Sequence, residues 1–233
     1  PNLSIRDKAY FIILPVNAKC NFQCPYCCNY YFESKDGKVL RGKKDHFQDL
    51  PLEAFTNFAD KCAKKLKWAH FGFLGGEPTL YPHLPELCAY VINNYGWEAG
   101  ICSNMSLTPC FRRIAELVTD PEKKKLMKFS ASLHPSSPGF SFEKYFLNCK
   151  ICIDAGFEVR ATLVSWPEQT YAFEMYRDKL AEIGVYLWLK GCGGYEMKPD
   201  WEYIGKMGGT KQTPEMLKEI GWIGQKTEPA PDK

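Results

Sequence analysis

Apolar residues in this chain gather in short runs, and between the runs they recur every three or four positions along otherwise polar stretches. The runs Phe11 to Val16, His70 to Leu74, Glu98 to Cys102, Lys128 to Leu133, Glu158 to Val164 and Val185 to Leu189 have the length and residue types of strands. The spacing between them predicts helices from about Pro51 to Lys67, His83 to Asn94, Pro109 to Val118, Phe142 to Asp154 and Glu168 to Ile183. Gly156 and Gly184 stand where helix-ending glycines belong, and Asp120-Pro121 reads as a break. Strands that alternate with helices imply a parallel sheet, because parallel neighbours need a crossover, and such a sheet is expected to be buried on both faces.

An open doubly wound sheet and a partial barrel both suit this alternation. The placement of polar residues favours the barrel. Cys20 to Cys27, Gly75 to Pro78, Ser103-Asn104, His134, Ser165-Trp166 and Gly191-Cys192 each follow a strand, at the rim where barrel enzymes carry their active sites. The expected fold is α/β, a partial (β/α)6 TIM-like barrel over residues 1–192. Beyond it the alternation stops. Residues 193–233, with Trp201, Tyr203, Trp222 and one helix start at Thr213-Pro214-Glu215, read as a short C-terminal capping segment with a disordered end.

With 233 residues and 45% hydrophobic content, the chain can bury one full core. No apolar stretch nears the roughly 20 residues of a membrane span. Eleven cysteines, an odd number in a chain of this size with no signal-peptide pattern before Phe11, point to reduced thiols in a cytoplasm. A net charge of +3 is too mild to indicate nucleic acid. Lys35, Lys38, Arg41, Lys43 and Lys44 do crowd together beside Tyr30, Tyr31 and Phe32. That segment reads as a solvated loop, or as a flap that draws in an anionic substrate.

Cys20, Cys24 and Cys27 are spaced C-x3-C-x2-C directly after the first apolar run. Three thiolates on one short loop suit three irons of a [4Fe–4S] cube and leave the fourth iron open, whereas a structural zinc site closes with a fourth ligand. Cys28 adjoins Cys27 too closely to share one metal, and a zinc knuckle stays the alternative on the loop alone. Cys149 and Cys152, three apart on a helix, read as core thiols.

With Gly75-Gly76-Glu77-Pro78 one strand later, the chain strongly resembles the radical S-adenosylmethionine (radical SAM) superfamily, from about Phe11 to Gly191. The resemblance implies a [4Fe–4S] cluster on Cys20, Cys24 and Cys27, with the amine and carboxylate of SAM on the open iron. It implies reductive cleavage of SAM to a 5′-deoxyadenosyl radical that takes hydrogen from a small-molecule or peptide substrate, with a low-potential donor such as flavodoxin or ferredoxin. Gly75 and Gly76 would let backbone approach a ligand, and Glu77, ahead of Pro78, would accept the ammonium of the methionyl group. Asn104 and Ser132 fall where the family contacts the SAM ribose or carboxylate, although Met105 replaces a usual glycine. Ser130, Ser132 and His134 share one strand face, and Arg160 offers a planar guanidinium for the carboxylate. Tyr26 falls where the family packs a residue near the adenine.

His134 is a candidate for substrate contact or proton donation, and Cys192 for hydrogen-atom return to a substrate radical. Since only Cys192 lies beyond Cys152, one cluster is expected. A glycyl-radical-enzyme activase is the alternative within the superfamily, against which Ser132-Leu133-His134 stands where that group has Asp-x-Lys. From another class, the chain would be a non-catalytic iron–sulfur electron-transfer or metal-binding module.

Overall fold

The computed structural model describes residues 10–24, 26–27, 49–170 and 172–190, and the backbone of 31–33 and 39–41. Cys28, Cys192, the basic side chains of 35–44 and the expected capping segment 193–233 lie outside the described residues.

Six parallel strands form one open sheet in the order β1 (Tyr10–Pro15), β4 (Ala69–Leu74), β5 (Glu98–Ser103), β6 (Met127–Leu133), β7 (Glu158–Val164) and β8 (Tyr186–Lys190). Each strand sits beside its predecessor in the sheet, which is the partial barrel the alternation predicts. Helices α1 (Leu52–Ala63), α2 (Leu84–Tyr95), α3 (Thr108–Leu117), α5 (Phe142–Asp154) and α7 (Phe173–Ala181) supply the crossovers. A short antiparallel pair, β2 (Tyr31–Glu33) and β3 (Val39–Arg41), rises within the basic segment that reads from sequence as a loop or flap.

Two boundaries move for local reasons. The helix expected to reach Lys67 ends at Ala63, because Lys65 N and Leu66 N both turn back onto Cys62 O, at 2.9 and 2.8 Å. The stretch Glu168 to Ile183 divides into α6 (Pro167–Thr170) and α7, as Gln169 Nε2 ties the first turn to Val164 O at 2.7 Å. Asp120-Pro121 proves to be a helix start rather than a plain break. The Asp120 carboxylate accepts from Glu122 N at 2.9 Å and caps a single turn, α4 (Pro121–Lys124).

The helix-covered face of the sheet is apolar. Phe71, Phe73, Ile101, Phe129, Ala131, Leu133, Ala161, Leu163, Leu187 and Leu189 are all buried there. Phe55 on α1 meets Phe71 edge-on at 5.6 Å, and Phe111 on α3 meets Phe129 at 5.6 Å. Cys149 and Cys152 on α5 are fully buried in this layer, as core thiols should be.

The opposite, inner face departs from the expectation of burial on both sides. A string of polar and charged contacts crosses its lower half: a His70 Nδ1–Glu98 hydrogen bond (3.0 Å), and ion pairs of Lys128 Nζ with Glu98 (3.8 Å) and Glu158 (2.5 Å) and of Arg160 with Glu158 (2.7 Å). Such partly exposed pairs in water are each worth a few tenths of a kcal/mol to about 1 kcal/mol, so they order the inner face more than they stabilise it.

Candidate active site

Where β1 ends, the chain runs along the end of β4 before it reaches the cysteines. Val16 N donates to Leu74 O (2.8 Å), Gly76 N to Asn17 O (3.2 Å), Glu77 N to Lys19 O (2.7 Å) and Asn17 Nδ2 to Glu77 O (3.0 Å). A Cβ on Gly75 would lie 2.6 Å from Asn17 O, and one on Gly76 only 2.2 Å from Lys19 O. The space a side chain would need at these two positions is filled by the backbone of residues 17–19. The two glycines are required because two stretches of this chain touch there.

Glu77, 1% exposed, is bound on both carboxylate oxygens. Oε1 accepts from Thr79 N (3.1 Å), Thr79 Oγ1 (2.5 Å) and Ser103 Oγ (2.7 Å), and Oε2 accepts from Asn104 N (2.7 Å). Burial raises its pKa, and these donors pull it part of the way back. In this structure the carboxylate read from sequence as an ammonium acceptor joins the ends of β4 and β5. Pro78, next to it, begins a buried 3-10 turn, Pro78–Leu80.

Asn104 is drawn into a second network. Its Nδ2 donates to Asn21 Oδ1 (2.9 Å), Asn21 Nδ2 donates to Ser106 Oγ (2.8 Å), and Ser106 N returns to Asn104 Oδ1 (3.1 Å). The ring pins Asn21, between Cys20 and Cys24, to the loop after β5. A cleft of about 70 Å³ beside it is lined by Asn21, Phe22, Asn104, Ser106 and Lys144, among others.

The far side of the cysteine loop is held by the ends of β6 and β7. Gln23 N donates to Ser137 Oγ at 3.1 Å. The Tyr26 ring packs on His134 and Trp166, with centroids at 5.7 and 5.6 Å. Gln169 Nε2 donates to Val164 O, so its Oε1 is the acceptor for Tyr26 OH (3.0 Å) and Ser136 Oγ (3.0 Å). With its proton directed to Gln169, the Tyr26 oxygen must accept from His134 Nδ1 at 2.8 Å. The network therefore assigns the Nδ1–H tautomer and leaves Nε2 as an acceptor. Burial lowers the His134 pKa to about 4, so the ring is neutral at neutral pH.

Cys20, Cys24 and Cys27 sit on the loop between these two anchorages. Phe22 N donates to Cys20 Sγ at 3.4 Å and Cys27 N to Cys24 O at 3.2 Å. Cys24 is 8% exposed, and burial, with the neighbouring Cys27 and Cys20 adding to it, pushes its thiol up to about 11. Among the described residues, no three His, Cys, Asp or Glu side chains converge on a single ion. An iron–sulfur cube takes one thiolate at each of three irons, so its ligands need not meet at one point. Three thiols on one braced loop fit that group.

The remaining candidates lie on the inner sheet face, apart from the loop networks. Register places Cys102, Ser130, Arg160 and Tyr186 in one layer, with Ser132, Thr162 and Trp188 in the next layer toward the rim. Ser132 Oγ lies 3.6 Å from Cys102 Sγ, and Ser130 is exposed. Arg160 has a 69% exposed side chain and pairs with Glu158 well below the strand end. Sequence reasoning misses Asn21, Ser137 and Gln169 altogether. The only signal for Asn21 is its place inside the cysteine motif.

No helix among the described residues is long and apolar enough to cross a membrane. The chain is 27% identical over 99 residues to an S-adenosylmethionine-dependent nucleotide dehydratase of Selenomonas ruminantium, covering 42% of this chain and 31% of that protein. It is 30% identical over 92 residues to a protein of the same description from a Thermoplasmatales archaeon (strain ISO4-H5), covering 40% and 28%. The chain thus spans less than a third of these curated relatives. Among solved structures, anSMEcpe with bound AdoMet superposes with a TM-score of 0.63 at 18% identity, covering 91% of this chain and 57% of that one. Methylornithine synthase superposes with a TM-score of 0.52 at 12% identity, covering 82% and 55%. Both likenesses are of fold. The Radical SAM superfamily pattern matches residues 14–180, and with most of the described barrel inside that match, the chain belongs to the radical SAM superfamily of enzymes, which use a [4Fe–4S] cluster and S-adenosylmethionine.

Proposed function

We propose that this chain binds its cluster through Cys20, Cys24 and Cys27 and cleaves SAM reductively to abstract hydrogen from a substrate. The observation that carries the reading is the double anchorage of the cysteine loop, to β4 and β5 through Asn17, Lys19 and Asn21 and to β6 and β7 through Gln23 and Tyr26. When bound, the reduced cluster supplies the electron that splits the sulfonium bond of SAM and so yields the 5′-deoxyadenosyl radical.

The protein's residues orient and shield. Glu77 and Asn104, with their hydrogen-bonding capacity directed inward, brace the wall of the SAM site. Ser130, Ser132 and Arg160 are the inner-face groups that would meet the cofactor's polar ends. Tyr26, on the cysteine loop, packs its ring against His134 and Trp166, and His134 offers Nε2 as an acceptor rather than a proton donor. A neutral imidazole whose only N–H is held by Tyr26 has no proton to release there.

For the substrate we infer an anionic small molecule of the nucleotide class. Lys190 ends β8 on the inner face, the same face that carries the paired rings of Tyr186 and Trp188 at 4.9 Å. Cations beside aromatic rings suit a phosphate and a base, and both curated relatives carry a nucleotide in their description. Against a glycyl-radical-enzyme activase stands Ser132-Leu133-His134 where that group has Asp-x-Lys, and a bare electron carrier needs no substrate face.

Anaerobic reconstitution should give about four irons per chain, and dithionite with SAM should yield 5′-deoxyadenosine. Adding ribonucleotides should raise that yield, whereas peptides should not. A Cys20, Cys24 and Cys27 triple alanine variant that still cleaves SAM would sink the assignment.

A further inference from the structure

Among the described residues, Met105 is the one non-glycine with a positive φ, at 56°. Its side chain is fully buried, and it follows Asn104, whose side chain is bonded to the cysteine loop. A long unbranched side chain does not settle in the left-handed region by itself. The turn is held from both sides. On the amide side, Met105 N donates to Ser103 Oγ (2.9 Å), which in turn donates to Glu77. On the carbonyl side, Asn148 Nδ2 donates to Met105 O at 2.7 Å.

Asn148 stands on α5, 0% exposed, among core residues such as Tyr145, Cys149 and Cys152. Its Oδ1 is buried without a hydrogen-bond partner. A buried unpaired oxygen destabilises the fold, and an apolar residue of similar volume would avoid it. What the amide contributes is its N–H, and that N–H goes to the strained turn.

We propose that Asn148 is a positioning residue of the cofactor site: by holding the Met105 carbonyl, it fixes the turn that carries Asn104 and thereby the cysteine loop through Asn21. This rests on the reading that Cys20, Cys24 and Cys27 hold the cluster next to SAM. Without Asn148, the peptide between Met105 and Ser106 can rotate. Ser106 N then leaves Asn104 Oδ1, and the Asn104, Asn21 and Ser106 ring opens. A glycine at 105 would need no such hold, because it adopts positive φ freely.

The test uses Asn148→Leu, Met105→Gly and the double variant. In the metal-free full chain, hydrogen exchange should quicken about tenfold in the peptides holding residues 20–24 and 103–106 of Asn148→Leu. In the Met105→Gly background the same change should have less than about a threefold effect. Met105→Gly alone should melt lower, since it empties buried volume, yet leave exchange at residues 20–24 near wild type. On cluster-loaded protein, SAM affinity by equilibrium dialysis should follow the same pattern, with about tenfold weaker binding in Asn148→Leu alone. Unchanged exchange in Asn148→Leu, or an undiminished effect in the Met105→Gly background, overturns the proposal. A wild-type chain that binds no SAM would defeat the functional reading instead, while the exchange arm still decides whether Asn148 holds the loop. If Asn148→Leu does not fold, Asn148→Ser, whose hydroxyl is too short to reach Met105 O, serves in its place.

Discussion

Gly76→Ala is the sharpest test of how the cysteine loop is built. The added Cβ would lie 2.2 Å from Lys19 O, 2.5 Å from Lys19 C and 2.7 Å from Ala18 O, all backbone atoms. No rotamer change can relieve that contact, so one segment must move away from the other. The displacement breaks Gly76 N to Asn17 O, Glu77 N to Lys19 O and Asn17 Nδ2 to Glu77 O. At about 1 kcal/mol of net stability per bond, the loss is about 3 kcal/mol, a large share of a typical domain's stability. Gly72→Ala is the control. Its Cβ would lie 2.6 Å from Ile13 Cδ1, the tip of a side chain that is 54% exposed and able to swing aside. That contact is relieved cheaply, and a strand alanine is favoured over glycine by roughly 0.5–1 kcal/mol, so the net change should stay within about 1 kcal/mol. Urea unfolding of the reduced, metal-free chain, followed by tryptophan fluorescence, reads both variants. Iron uptake should fall in Gly76→Ala and hold in Gly72→Ala. If Gly76→Ala unfolds within 1 kcal/mol of wild type, or Gly72→Ala loses as much, then close backbone approach is not what these glycines are for.

The buried neutral His134 makes stability depend on pH. Its folded pKa of about 4 lies below the ordinary 6.5, so the unfolded chain binds the extra proton between those values. Its contribution is complete above about pH 6.5 and is lost as pH falls toward 4, by at most about 3 kcal/mol. The stability difference between wild type and His134→Gln, measured by urea unfolding at several pH values, should shrink across that window; a flat difference would contradict the burial. Tyr26→Phe should cost about 1–2 kcal/mol, because it strips the partner from His134 Nδ1 and one donor from the buried Gln169 oxygen. It should also slow cluster uptake; wild-type stability and uptake would refute the anchoring role. Cys149→Ala and Cys152→Ala should lower the melting temperature without changing iron content, since both thiols lie in the helix-covered core. Lost iron would place one of them in the metal site.

Some of this molecule is written in local sequence. All six sheet strands fall within a residue or two of where apolar runs place them, because each run has one buried face and the period of two leaves little freedom. The cysteine spacing and the glycine pair announce the site for a similar reason, since a short loop that must carry three thiols and touch its neighbour admits few residue types. What the sequence does not contain is where polar capacity goes once the strands are side by side. Nothing along the chain tells that Glu77 and Asn104 are bonded to Thr79, Ser103 and Asn21. The inner face is expected to be buried, and its lower half proves to hold the ion pairs of Lys128 and Arg160 with Glu158. Met105 looks like an obstacle to its turn until Asn148, distant in sequence, supplies the hydrogen bond that holds it. Apolar burial is a property of each segment's own pattern, and a chain can declare it alone. Hydrogen bonds and charges need a partner at about 3 Å, and only the tertiary structure decides which partner that is.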